Sequence, residues 1–375
     1  MKKVIYISYA VCAIAMFALL FYMFDHLRVI ETNTREDNEY TQLQPYRTWV
    51  VKDSGAPIGV SKVFQFKVPA IGKGTKTLAF YSHHQDVVIY KGDRVIYQRR
   101  VYQGNPFGRT SGQGWNDLTL YSEDSGKILT VVMSPEYSTV QGIDVTFYYG
   151  SKIKIWLHDV IRQLAPSILS LIAIVMGMIF VVFILVNIRN KKINRNLLFM
   201  GIFSICIGVW KITDAGILQL LFGNNILFSY IPFVSLLLCV IPFVLFMRTL
   251  LTARESTGWN ILCLASLAVM VFSFVVQILN KGDMRETLPF NHAVMGVMAL
   301  VTVVQVVRQW KKQGMNRKLK LIFCCFLTCI VVLIGDIITF YTTEGMGSMV
   351  FGIFGFIIFI IIVGINSMAE SRALM

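Results

Sequence analysis

Three ionisable side chains stand in stretches otherwise apolar enough to cross a bilayer: Lys211 and Asp214 in "GVWKITDAG", and Asp336 in "LIGDIITF". A lone charge in hydrocarbon costs roughly 2.5–3.5 kcal/mol on insertion scales, so such residues pair or line a polar cavity. Lys211 can pair with Asp214 on its own helix or with Asp336 on another, and either pair serves as a static support or as a latch between two packings. Gln277 and His292, near the same end of neighbouring stretches, can complete a polar cluster with them. Two aspartates also raise the question of an intramembrane aspartyl protease. "LIGDIITF" lacks the first Gly of a G-x-G-D motif, however, and nothing around Asp214 completes a site. With no zinc motif, G-x-S-x-G elbow or phosphate-binding loop elsewhere, no enzyme active site is read from the chain. No cofactor or metal is expected.

A second group lies in "QGNPFGRTSGQGWND", where Gly104, Gly108, Gly112 and Gly114 surround Asn105, Arg109 and Trp115. Aromatic, Arg and Asn side chains stack on and hydrogen-bond to a sugar or small polar ligand, which makes these three a candidate ligand rim. Equally, Trp115 can plug the end of a core while the glycines serve turns. His83 and His84 are adjacent, so on a strand they face opposite sides and do not chelate one metal. Cys324, Cys325 and Cys329 cluster near one end of an apolar stretch, where buried thiols commonly act as small apolar residues.

These residues are held by two kinds of element. Between Tyr46 and Tyr149 the chain runs in short β-rich pieces: "YRTWVV", "KVFQFKV", "TLAFYS", "DVVIY", "RVIYQ", "DLTLY", "KILTVVM" and "IDVTFYY". In "KVFQFKV", Phe64, Phe66 and Val68 alternate with Gln65 and Lys67, the period-2 pattern of a half-buried strand. Gly92 and Asp93 form a two-residue hairpin link in "VVIYKGDRVIYQ". The pattern predicts an all-β sandwich or jelly roll.

Around it the chain is apolar: 55% of its 375 residues are hydrophobic and the mean hydropathy is +0.62. Stretches long enough to cross a bilayer lie near residues 4–24, 164–188, 197–216, 226–250, 259–279, 290–307, 319–340 and 348–366. The first lacks a cleavage site and reads as an uncleaved anchor. The expected organisation is an anchor helix over 1–25, an extracellular β-sandwich over 26–163, a seven-helix transmembrane bundle over 164–366 and a short tail over 367–375. "SKIKIWLHDVIRQ", Ser151 to Gln163, reads as an amphipathic lead-in through Pro166, and Pro232 and Pro242 are expected to loosen one span.

The net charge of +14 is unevenly spread. Residues 25–163 carry 17 Lys/Arg and 14 Asp/Glu, whereas the loops that share a side with Met1 hold 15 basic residues against Glu255 and Glu370. By the positive-inside rule both termini are therefore expected in the cytoplasm. The charge orients the chain and attracts anionic lipid; no nucleic-acid partner follows from it. All seven cysteines lie in apolar spans, so the exported segment is expected to fold without disulfides.

Five segments, "LAFYSHHQDVVIYKGDRVIYQ", "GRTSGQGWNDLTLY", "MSPEYSTVQGIDVTFYYGSK", "GVWKITDAGILQLLFGNN" and "VIPFVLFMRTLL", carry a wider likeness. With the anchor, sandwich and helices, the chain from about Gln44 to Ser371 resembles the bacterial seven-transmembrane receptors with diverse intracellular signalling modules (7TMR-DISM). The likeness is to the Gram-positive form fused to diguanylate cyclases. The resemblance implies an exported domain that binds a small, carbohydrate-like molecule and a last helix that hands a signal to a cytoplasmic output domain. "NSMAESRALM" resembles the start of the linker to that domain, so the output is expected from a separate cyclase or kinase or to have been lost by truncation. Expected partners are therefore a small extracellular ligand, membrane lipid, a cytoplasmic signalling protein and a second copy of the chain as a homodimer. A multi-pass transporter and a membrane assembly factor are the competing readings.

Overall fold

The computed structural model describes residues 41–314, apart from positions 54, 103–104, 106–107, 188–195 and 252–256, together with 350–373 and scattered positions within 7–31 and 323–338. Most of the stretches at 4–24 and 319–340, and with them Asp336 and the three clustered cysteines, fall outside the described residues.

Among the described residues, ten strands form two antiparallel sheets. They are β1 (Val29–Glu31), β2 (Thr41–Gln42), β3 (Arg47–Lys52), β4 (Val60–Lys67), β5 (Thr75–His83), β6 (Gln85–Lys91), β7 (Arg94–Val101), β8 (Gln113–Tyr121), β9 (Ile128–Pro135) and β10 (Phe147–Gly150). One sheet runs β1-β7-β6-β9-β4-β3 and the other β2-β10-β5-β8. Each of the eight β-rich pieces of the sequence falls on one of the strands β3 to β10. Lys91 pairs with Arg94 across the Gly92–Asp93 link, and Gly92 alone of the two has positive φ, as a II′ hairpin turn requires. The alternating side chains of both sheets meet in one core, where Phe147 of β10 packs on Phe64 and Phe66 of β4 at 5.0 and 4.5 Å between ring centres.

Helices follow: α1 (Lys152–Val186), α2 (Asn196–Asp214), the short α3 (Ile217–Phe222), α4 (Asn225–Leu250), α5 (Thr257–Ile278), α6 (Met284–Gln313) and α7 (Val350–Ala373). Five of them, α1, α2, α4, α5 and α6, are long and apolar enough to cross a membrane, which marks a multi-pass membrane protein. α7 carries a shorter apolar run, Gly352–Ile362. Ile168, Leu171, Val175, Ile179 and Val182 of α1 stand exposed, a costly arrangement in water and a natural one against lipid. The lead-in and first span of the bundle are one helix through Pro166, capped by Ser151.

Small residues bring α1 and α2 together. A Cβ on Gly177 would lie 2.6 Å from the Gly201 carbonyl oxygen, and one on Gly208 would lie 2.6 Å from that of Ser170. Ser204 Oγ fills the same seam by donating to the Ala173 carbonyl at 2.6 Å. Such close approach replaces hydrophobic driving force inside a bilayer with van der Waals contact. α4 differs from the others: from Val234 to Arg248 every residue is buried, so it forms the centre of the helical region.

Candidate functional site

The sheets rest directly on the helices, and the joint has two parts. The first is built around Asp283, the N-cap of α6. Its carboxylate, 1% exposed, accepts from Tyr137 Oη at 2.5 Å, Tyr230 Oη at 2.9 Å and Gln277 Nε2 at 2.9 Å. The Arg109 backbone N–H lies 3.3 Å away. Tyr137 and Arg109 belong to the sheet unit, Tyr230 to α4 and Gln277 to α5, so one carboxylate ties four segments together. Burial, and then the Asp283 charge, push the Tyr137 phenol well above its usual pKa, keeping it a donor. Glu286 closes the capping box by accepting from the Asp283 N–H at 2.9 Å.

Beside this network the β7–β8 connection presses on the first turn of α4. Gly112 has φ +81°, and a Cβ there would meet the Asn225 carbonyl oxygen and Ser229 Oγ at 2.8 Å. The Gln113 N–H donates to Ser229 Oγ at 2.7 Å. The glycines of this segment thus let backbone approach a helix end. Next to it, His84 in the β5–β6 link sets Nδ1 2.8 Å from Thr110 Oγ1. Glu136 accepts from the Ser111 N–H and Oγ at 2.6 and 2.7 Å. Burial, and then the neighbouring Asp86 carboxylate, push Glu136 well above the usual carboxylate range.

The second part is a cavity of about 110 Å³ between the β2-β10-β5-β8 sheet and the ends of α1 and α2. Its roof comes from Tyr81 and His83 of β5, Gln113 and Trp115 of β8 and Tyr148 of β10. Tyr81 sits directly opposite Trp115, and His83 opposite Gln113, so register alone puts them on one face. The floor is charged: Asp159 and Arg162 from α1, Lys211 and Asp214 from α2. Trp115 Nε1 donates to Asp159 Oδ2 at 3.0 Å, and Lys211 Nζ to Asp214 Oδ2 at 2.9 Å. Burial, and then the charge of Arg285, lower the His83 pKa to about 4, so the imidazole is neutral at pH 7.

The sequence candidates are therefore regrouped. Trp115, Lys211 and Asp214 come together in the cavity. Arg109 turns away from it, donating from Nη1 to the Lys281 carbonyl at 3.3 Å, with Nη2 3.8 Å from Glu286. Asn105 lies in the β7–β8 connection, where its N–H donates to the Tyr102 carbonyl at 3.0 Å. Of the expected Asn105–Arg109–Trp115 rim, Trp115 lines the cavity and Asn105 and Arg109 do not; the connection is held to Asp283 at the Arg109 N–H and enters β8 before reaching Trp115. Gln277 belongs to the Asp283 network, donating to it and accepting from the Met284 N–H. His292 is half-buried on α6 and does not line the cavity. Sequence reasoning passed over Asp283, Tyr137, Asp159 and Tyr81. Asp283 was visible as the start of a D-x-x-E capping pattern, and Tyr81 only through its register with Trp115.

No family model and no curated protein matches this chain.

Proposed function

We propose that this chain is a membrane signal receptor. Its sheet unit lies outside the cell as a ligand-sensing sandwich, its helices form a seven-span bundle with both termini in the cytoplasm, and the bundle relays to a cytoplasmic signalling module. The observation that carries the reading is the Asp283 network: a buried carboxylate shared by Tyr137 of the sheets and by Tyr230 and Gln277 of two helices. A flexibly tethered binding domain has no need of such a joint. Here any shift of the sheets strands buried donors unless α4, α5 and α6 follow. The uneven basic charge and the resemblance to the 7TMR-DISM receptors support orientation and role. A transporter would set its substrate groups near the middle of the membrane between discontinuous helices, whereas this cavity lies at the ends of α1 and α2, against the sheets.

Two measurements test the reading. A cysteine at Asp93 should be labelled by an impermeant maleimide on intact cells and one at Lys312 only after permeabilisation; the reverse pattern overturns the topology. With a diguanylate cyclase fused after Met375, Tyr137→Phe and Gly112→Ala should each change cellular cyclic di-GMP, and output indifferent to both variants refutes the relay.

A further inference from the structure

Building on the receptor reading, we propose that the cavity beneath Trp115 binds a small zwitterion of the amino-acid class. The carboxylate of this ligand would lie on Lys211 and its ammonium between Asp159, Asp214 and the aromatic roof. The argument begins with the floor. Lys211 is 2% exposed, and Asp214 Oδ2 is the one hydrogen-bond acceptor of its ammonium among the described residues. Its ammonium has three N–H groups, of which Asp214 takes one; the Trp210 ring lies 5.9 Å from Nζ, and the side chain also lines the cavity. Asp159, 8% exposed, has its Oδ2 held by Trp115, while its Oδ1 receives no hydrogen bond among the described residues. The site therefore offers charged donors and charged acceptors together, each incompletely satisfied.

Charge then selects the ligand. The acidic and basic side chains of the floor sum to zero, with Lys211 and Arg162 against Asp159 and Asp214, beside the imidazole of His158, and the roof of Tyr81, His83, Gln113, Trp115 and Tyr148 is uncharged. An anion would meet two aspartates, and a cation would meet Lys211 and Arg162. A neutral polyol forms only half-charged hydrogen bonds, which are weaker than bonds charged on both sides. A molecule with both charges meets each partner with its opposite, beneath an aromatic roof in which Tyr81 and Trp115 pack edge to face. Size agrees. The cavity of about 110 Å³ is somewhat smaller than the ~150 Å³ cavity that holds benzene, which fits ligands of the size of glycine or alanine.

The test is calorimetric titration of the full-length chain in nanodiscs with glycine and L-alanine, beside acetate, methylammonium and D-glucose. At least one zwitterion should bind saturably and about tenfold or more tightly than either singly charged probe. Lys211→Gln and Asp159→Asn should each weaken it by about tenfold or more, the cost of losing a charged hydrogen bond. Should Lys211→Gln fail to fold by its melting curve, Asp159→Asn, which retains an acceptor for Trp115, carries the comparison. Glucose binding in place of the zwitterions, zwitterion binding unaffected by Asp159→Asn, or no binding of any probe would each overturn the assignment. None of these outcomes touches the receptor reading, which stands or falls on the output of the Tyr137→Phe and Gly112→Ala fusions.

Discussion

Replacing Asp283 with alanine is the most direct test of the joint. The substitution leaves three buried side-chain donors, Tyr137 Oη, Tyr230 Oη and Gln277 Nε2, without their acceptor. At about 1–3 kcal/mol for each stranded donor the penalty is roughly 3–9 kcal/mol, and water entering the vacated space brings it towards the lower end. Loss of the α6 N-cap adds about 1 kcal/mol. A destabilisation of about 4–6 kcal/mol is therefore expected. Asp283→Asn keeps the cap and one acceptor oxygen and should fall near half of that. Tyr137→Phe removes one donor and leaves Asp283 with its others, for about 1–2 kcal/mol. Combined with Asp283→Ala it should cost little more than Asp283→Ala alone, because the donor it removes is already stranded. Unfolding curves of the four proteins in one detergent give the cycle, and hydrogen exchange should show protection lost around residues 109–113 and 225–230. A parent-like melt for Asp283→Ala, or an additive cycle with Tyr137→Phe, would refute the network as the link between sheets and helices.

Lys211 and Asp214 should show a coupling of about 1–3 kcal/mol in a Lys211→Met, Asp214→Asn cycle, since either single change leaves the other charge uncompensated beside a buried wall; additivity would remove the pair. Gly112→Ala should destabilise the joint by more than about 1 kcal/mol, through both its positive φ and the 2.8 Å approach to Asn225; an unchanged melt would mean that the loop is not pinned there. Glu136 has its pKa raised in the folded protein, so its contribution is full at low pH and is lost as pH rises through the folded value. Glu136→Gln should therefore flatten the loss of stability on the alkaline side, and an unchanged pH profile would count against the buried acid pair. His83 works in the opposite sense: its pKa of about 4 in the fold makes stability fall as pH drops from about 6.5 towards 4, and His83→Gln should reduce that loss.

The strands and spans were legible because their periods are strong. "KVFQFKV" alternates, and the stretches that became α1, α2, α4, α5 and α6 are too apolar and too long for anything else. β1 and β2, of three and two residues, carry too little pattern to be seen, and α3 is a six-residue turn of helix set between glycines with φ +78° and +72°. The site was legible by residue type but not by grouping. Trp115 and Lys211 each stood out, yet nothing local says that β8 lies over α2, since that depends on the docking of the whole sheet. Depth along the membrane pointed from Lys211 to Asp336 as well as to Asp214. Among the described residues the partner is Asp214, three positions along the same helix, where backbone geometry already brings the two together. Arg109 shows the converse: it is close in sequence to Trp115, yet its backbone N–H is held by Asp283 and it does not line the cavity with Trp115.

The enclosure of α4 has a consequence of its own. α1, α5 and α6 each present exposed apolar side chains, so the thickness and composition of the bilayer act on them. α4 is wrapped by protein along Val234–Arg248, with the sheets seated on its start through Asn225 and Ser229, and with Arg248 bonded to Asn260 at 2.8 Å towards its far end. It behaves as a shaft running in a protein sleeve, shielded from the lipid that bathes the sleeve. A close-packed sleeve yields in discrete repackings rather than by gradual slip. On the proposed receptor reading, whatever the sheets impose on this shaft should therefore cross the membrane as a step, largely independent of membrane thickness, while the outer helices adapt to the lipid around them.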